Sequence, residues 1–203
     1  MNFVIVDVET TGGSPKNSKI TEIAMYKFNG TAVIDEFSTL VDPEMEIPEF
    51  IVRLTGITNA HVQNAPKFYE IAKQIIEFCK DCIFVAHNVS FDYGMFRSEF
   101  KHLGFDFRKP HLCTVESARK IIPNHTSYSL GKLSRALGIV IKNRHRAGGD
   151  ALATTKLFQL LYEKDKIMLK SFVKEELNPK NVHPNLDMDS IDELPSKIGV
   201  YFF

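Results

Sequence analysis

The chain has no tryptophan, only three cysteines among 203 residues, and no surplus of charge: 25 Lys and Arg balance 25 Asp and Glu. Balanced charge removes any global electrostatic case for nucleic-acid binding without excluding a local one, because a carboxylate site that turns cationic on binding metal attracts phosphate by itself. No apolar run approaches the ~20 residues that span a bilayer, and the N-terminus lacks the basic-then-apolar pattern of a signal peptide. The expectation is a soluble, cytoplasmic protein with no membrane partner. Two of the three cysteines have a spacing that suits a redox-active pair or half a zinc site. Cys79 and Cys82 form a C-x-x-C, but no second pair or spaced histidines completes a zinc site, and the pair straddles a helix-to-strand connection; buried thiols are the simpler reading.

What is present is a chain 44% hydrophobic, enough for one substantial domain. The stretch from Phe3 to Gly12 is a β-rich apolar run that drives into Asp7 and Glu9 and stops at Thr-Thr-Gly-Gly. Side chains alternate along a strand, so both acids share a face. Two carboxylates ending a hydrophobic strand repel one another and resist desolvation, and a hard divalent cation relieves both. A strand fraying into a solvated acidic turn is an equally good account of the pair alone.

Further along, Asn29-Gly30 between the β-rich runs 20–28 and 31–41 signals a hairpin. Residues 66–79 have helical apolar spacing, 82–86 a buried strand, 91–103 a helix with Ser90 as its N-cap, and 112–114 a third short strand piece. Helical stretches at 115–122 and from Ser129 follow, and a final helix runs from Asp150 to about Glu163. Hairpin strands first, then alternating strand and helix, predict an α/β fold with a mixed five-stranded sheet and helices on both faces. There is no internal repeat. Asp92 and Asp150 fall in the first turns of their helices, where an acid also gains from the helix dipole without any metal. Asp150 nevertheless shares its helix face with Thr154, Leu157 and Leu161, the seam that faces a core. His145 stands in a glycine-containing loop five residues before Asp150, where an imidazole can take a proton; a surface histidine in the basic loop 142–146 is the competing account.

Taken together, VDVETTG at 6–12, HNVSFDYGMF at 87–96 and HRAGGDALAT at 145–154 resemble the three motifs of the DnaQ-like (DEDDh) 3′-5′ exonucleases, a family that includes the proofreading ε subunit of bacterial DNA polymerase III. The resemblance spans about residues 1–165 and implies a ribonuclease H-like fold, two divalent metal ions (Mg²⁺ or Mn²⁺), and hydrolysis of single-stranded 3′ ends to nucleoside 5′-monophosphates. On it, Asp7, Glu9, Asp92 and Asp150 are the metal ligands and His145 the general base. Thr10, Thr11 and Asn88 are candidates to hold the terminal nucleotide, and Ile57 and Phe91 to stack on bases, with core packing the competing role for Phe91. DNA is the favoured substrate, in proofreading or repair beside polymerase or repair machinery. The alternatives are an exoribonuclease of the same family and a non-cutting binding module, though binding alone needs no general base.

The remainder divides into a helix or linker over 166–190 and a last piece, 191–203, whose Leu194-Pro195 through Val200-Tyr201-Phe202-Phe203 is similar to the opening of a GIY-YIG (UvrC-like) nuclease domain. On that resemblance the chain is expected to be a fragment of a longer protein.

Overall fold

The computed structural model describes residues 1–142 and 144–175; the linker over 178–185 and the GIY-YIG-like stretch lie outside the described residues. Five strands, β1 (Asn2–Thr10), β2 (Ile20–Phe28), β3 (Val33–Leu40), β4 (Cys82–Ala86) and β5 (His111–Cys113), form one sheet in the order β3-β2-β1-β4-β5. β1 pairs antiparallel with β2 but parallel with β4, and β5 continues parallel. The long central strand is therefore where the sheet changes sense.

Alternation along β1 sorts the core. Val4, Val6 and Val8 pack with α3 (Phe68–Phe78) and α4 (Val89–His102) on one face. Phe3 and Ile5 pack on the other with α5 (Thr114–Ile121), α6 (Leu130–Ala136) and α7 (Ala147–Ser171). By the same period of two, Asp7 and Glu9 share the α7 face. There Ala24, the cross-strand partner of Asp7, packs with Ala147 and Ala151, and these small side chains let the start of α7 come close to the sheet.

Several local expectations need correction. The Asn-Gly turn is wider than two residues: Asn29 Oδ1 accepts from the backbone N–H of Thr31 and Ala32, which delays β3 to Val33. Asn88, in the left-handed region at φ 74°, precedes α4, and Ser90 lies inside the helix with its hydroxyl donating to Asn88 Oδ1. Two short helices absent from the sequence reading, α1 (Glu49–Thr55) and α2 (Asn59–Val62), flank a tight reversal where Gly56 at φ 74° closes one and Thr58 caps the other. The last helix runs on to Ser171 through a kink at Asp165.

Candidate active site

β4 stops at Ala86, paired with Val6, so β1 projects beyond its parallel neighbour. Into that step comes Asp92 from the first turn of α4: its Oδ1 accepts from the Val8 N–H at 3.1 Å, where β4 no longer supplies an acceptor. The bond also fixes the backbone between Asp7 and Glu9. On the other face Asp150, in the first turn of α7, meets both strand acids. Asp7, Glu9 and Asp150 each offer a carboxylate oxygen within 4.8 Å of the others. Asp92 stands outside that trio, buried beside Asp7.

Electrostatics make the arrangement expensive when metal-free. Desolvation, then the charges of Asp92, Asp150, Glu9 and Glu22, hold Asp7 well above the usual carboxylate range. Glu9 is pushed up to about 8 by burial first and by Asp150, Glu22 and Asp92 next, partly offset by Arg146. Burial raises Asp92 against the opposing hydrogen bond from Val8, and raises Asp150 against the backbone N–H of His145. Asp150 Oδ2 accepts that N–H at 3.3 Å, whereas its buried Oδ1 has no hydrogen-bond partner among the described residues. An orphaned carboxylate oxygen beside two more acids fits a divalent cation with oxygen preference.

His145 is held at φ 62°, a left-handed backbone uncommon for a histidine, and the N–H to Asp150 Oδ2 bond anchors it. Glu22, outside the motifs, fixes this loop through Arg146 and Ala147. Glu22 lies directly across from Glu9 on β2, a like-charge pair that would be destabilising unaided. It is buried and accepts from Arg146 Nε and Nη2 (2.7 Å at the shortest) and from the Ala147 N–H at 2.8 Å. Glu22 thus ties the residue after His145, and the first turn of α7, to the sheet. Only the strand register could have revealed it; the weak sequence signal is an acid inside an apolar strand. Arg146 is committed to this clamp, while the Arg144 guanidinium lies where a side chain on Gly131 would be, 2.7 Å from the position of its Cβ.

The remaining candidates are placed differently. Thr10 Oγ1 donates to the Gly12 carbonyl, and Thr11 Oγ1 accepts from the Lys19 N–H, so both hydroxyls shape the turn after Glu9. Asn88 is exposed at the head of α4 and Phe91 is half-buried against the core. Ile57 is buried in a small cluster with Ile47, Ile51 and Val62, away from the main core. His87 bridges Thr114 Oγ1 and the Tyr128 carbonyl, and burial lowers its pKa. Cys79 and Cys82 are free and buried, with burial pushing Cys79 up to about 12.

A mixed sheet with acids gathered at the end of its central strand defines the class: an α/β, ribonuclease H-like fold whose carboxylate cluster fits a divalent cation. Comparison with known proteins agrees. The family model described as Exonuclease (RNase_T) matches residues 4–158, and the chain belongs to that family. It is 35% identical over 189 residues to a DNA polymerase III PolC-type of Clostridium perfringens, covering 93% of this chain and 13% of that protein. It is 38% identical over 163 residues to a 3′-5′ exonuclease DinG of Staphylococcus aureus, covering 80% of this chain and 18% of that protein. The chain thus spans less than a fifth of the length of either relative. Among solved structures, a zinc-bound complex of E. coli Exonuclease I with single-stranded DNA superposes with a TM-score of 0.73 at 20% identity, covering 84% of this chain and 42% of that one. Among the described residues no helix is long and apolar enough to cross a membrane.

Proposed function

We propose that the chain is a 3′-5′ exonuclease that removes nucleoside 5′-monophosphates from single-stranded DNA, with residues 1–165 as the catalytic unit. The carrying observation is the convergence of Asp7, Glu9 and Asp150 on one point, with Asp92 behind them and the His145 loop tied to Asp150. Asp7, central in the cluster, would be shared between two ions, with Glu9 and Asp150 serving one and Asp92 supporting the other. Mg²⁺ or Mn²⁺ there would supply the charge stabilisation of attacking and leaving oxygens that in-line phosphoryl displacement requires.

The chain's own residues do the rest. His145 accepts the proton of the attacking water; the phosphorus–O3′ bond breaks, and the oxygen leaves on the shortened strand. The anchored backbone of His145 holds the imidazole near the site while leaving its side chain to move. Asn88, exposed at the head of α4, orients the last nucleotide beside the turn that the Thr10 and Thr11 hydroxyls shape, and half-buried Phe91 contributes apolar surface near its base; Ile57, buried in its own cluster, offers the base no surface. DNA is favoured over RNA because the relatives named above are DNA polymerase III PolC-type and a protein crystallised with single-stranded DNA. The first of these names also motivates a polymerase or repair setting as the partner.

The test uses 3′- and 5′-labelled single strands of DNA and RNA with Mg²⁺, Mn²⁺ or chelator. The expected result is metal-dependent loss from the DNA 3′ end, abolished in Asp7→Ala. Retention of intact strands under every condition would instead identify a binding module.

A further inference from the structure

The turn after Glu9 and the outer face of α4 enclose a groove that the chemistry above does not use. Pro15 sits on Gly94, where a side chain on the glycine would meet Pro15 Cγ at 3.1 Å, and the Ser98 hydroxyl donates to the Pro15 carbonyl at 2.7 Å. These contacts fix one wall against the other. Along the floor, Gly94, Ser98, Lys101 and His102 follow Phe91 at i+3, i+7, i+10 and i+11, one face of the helix. The groove therefore leads away from the candidate residues at the head of α4, which also carries Asp92.

Its chemistry is basic with an aromatic end. Lys16, Lys101 and His102 are exposed along it and have no ion pair to another described residue. Arg97 also lines it and pairs at 3.7 Å with Asp106, which Arg108 shares at 2.7 Å. The one acid lining the groove is thus matched by two arginines. The nearby Glu99 is buried and neutralised by Lys19. Phe105, 46% exposed, closes the far end. In a chain of zero net charge this is a concentration of cations, and basic groups with an exposed ring are what a single strand needs for its phosphates and a base.

We propose that this groove binds the phosphate backbone of the DNA strand upstream of the 3′ end held at the carboxylates. The inference rests on the exonuclease reading for its direction. From Gly94 to His102 the helix rises ~12 Å, room for roughly three nucleotides at ~3.4 Å each and fewer when extended. Lys16 and Lys101 contact phosphates, and Phe105 stacks on a base beyond them.

The experiment compares wild type with Lys16→Ala/Lys101→Ala on two substrates: a 20-nucleotide oligo-dT, and the p-nitrophenyl ester of thymidine 5′-monophosphate, too small to reach the groove. The double variant should raise KM about 5–10-fold on the long strand and leave the small ester unchanged. It should also flatten the salt dependence of strand binding by ~1.4 in log–log slope, ~0.7 per lost phosphate contact. Phe105→Ala should weaken strand binding without altering that slope. Unchanged KM and slope in the double variant would overturn the proposal, and so would an equal loss on both substrates, which would place the damage at the carboxylates. If wild type cleaves neither substrate, the exonuclease reading fails instead. The groove is then judged by binding of fluorescein-labelled oligo-dT in chelator, where equal affinity of wild type and double variant overturns it.

Discussion

Glu9→Gln should stabilise the metal-free protein while destroying its site. Glu9 titrates near 8 in the folded chain against 4.5 for an ordinary glutamate, because it is buried among Asp150, Glu22 and Asp92. The sign follows from linkage. Between these values the unfolded chain has released the proton and the folded chain still binds it, so folding stability falls as pH rises from about 5 to 8. At full ionisation the difference is roughly 5 kcal/mol. Water reaching this half-buried carboxylate screens part of it, leaving about 2–3 kcal/mol as the working figure. At ~2–4 °C per kcal/mol for a chain of this size, Glu9→Gln in chelator at pH 8 should melt about 5–10 °C above wild type. At pH 5 the two should nearly coincide. Adding Mn²⁺ should raise the melting temperature of wild type and move the variant much less. Thermal melts followed by circular dichroism across that pH range measure all of this. A variant that melts at or below wild type in chelator at pH 8 would refute the reasoning, since the acids would then be paying no electrostatic penalty for their convergence.

Other outcomes follow from the same structure. Arg146→Lys keeps the charge but loses the two-pronged grip on Glu22, and should lower metal affinity or turnover about 10–100-fold, read by calorimetric titration with Mn²⁺ and by initial rates, because groups that orient ligands matter nearly as much as the ligands. His145→Ala should bind Mn²⁺ as wild type does yet cut about 10²–10⁴-fold more slowly; unchanged rates would remove the histidine from the mechanism. Cys79, buried and pushed up to about 12, should resist a thiol-disulfide reagent at pH 8 until the protein is unfolded, and no zinc should be released on denaturation.

The sheet and its site were legible in the chain to unequal degrees. Asp7 and Glu9 could be placed on one face from period-two alternation alone, and Asp150 on the inward seam of its helix from its spacing to Leu157 and Leu161. Both inferences need only local geometry. Glu22 could not be found that way, since its role arises from the β1–β2 register that sets it across from Glu9 and from a loop 124 residues away. Asp92 shows a similar limit: nothing local reveals that its carboxylate would take the Val8 N–H where β4 has already ended. The short helices α1 and α2 fall in the stretch between residues 41 and 66 that carries no long apolar period, where Pro48 precedes α1 and Gly56 ends it. The last helix, expected to end near Glu163, only kinks at Asp165, and Leu169 continues into the core.

The central claim is that these carboxylates form a cradle for a pair of divalent cations. Electron paramagnetic resonance of bound Mn²⁺ tests it most directly. Wild type should bind two ions whose spectrum shows spin coupling, and Asp7→Asn should bind at most one, without coupling. Two coupled ions in the variant, or none in wild type at millimolar Mn²⁺, would contradict the account.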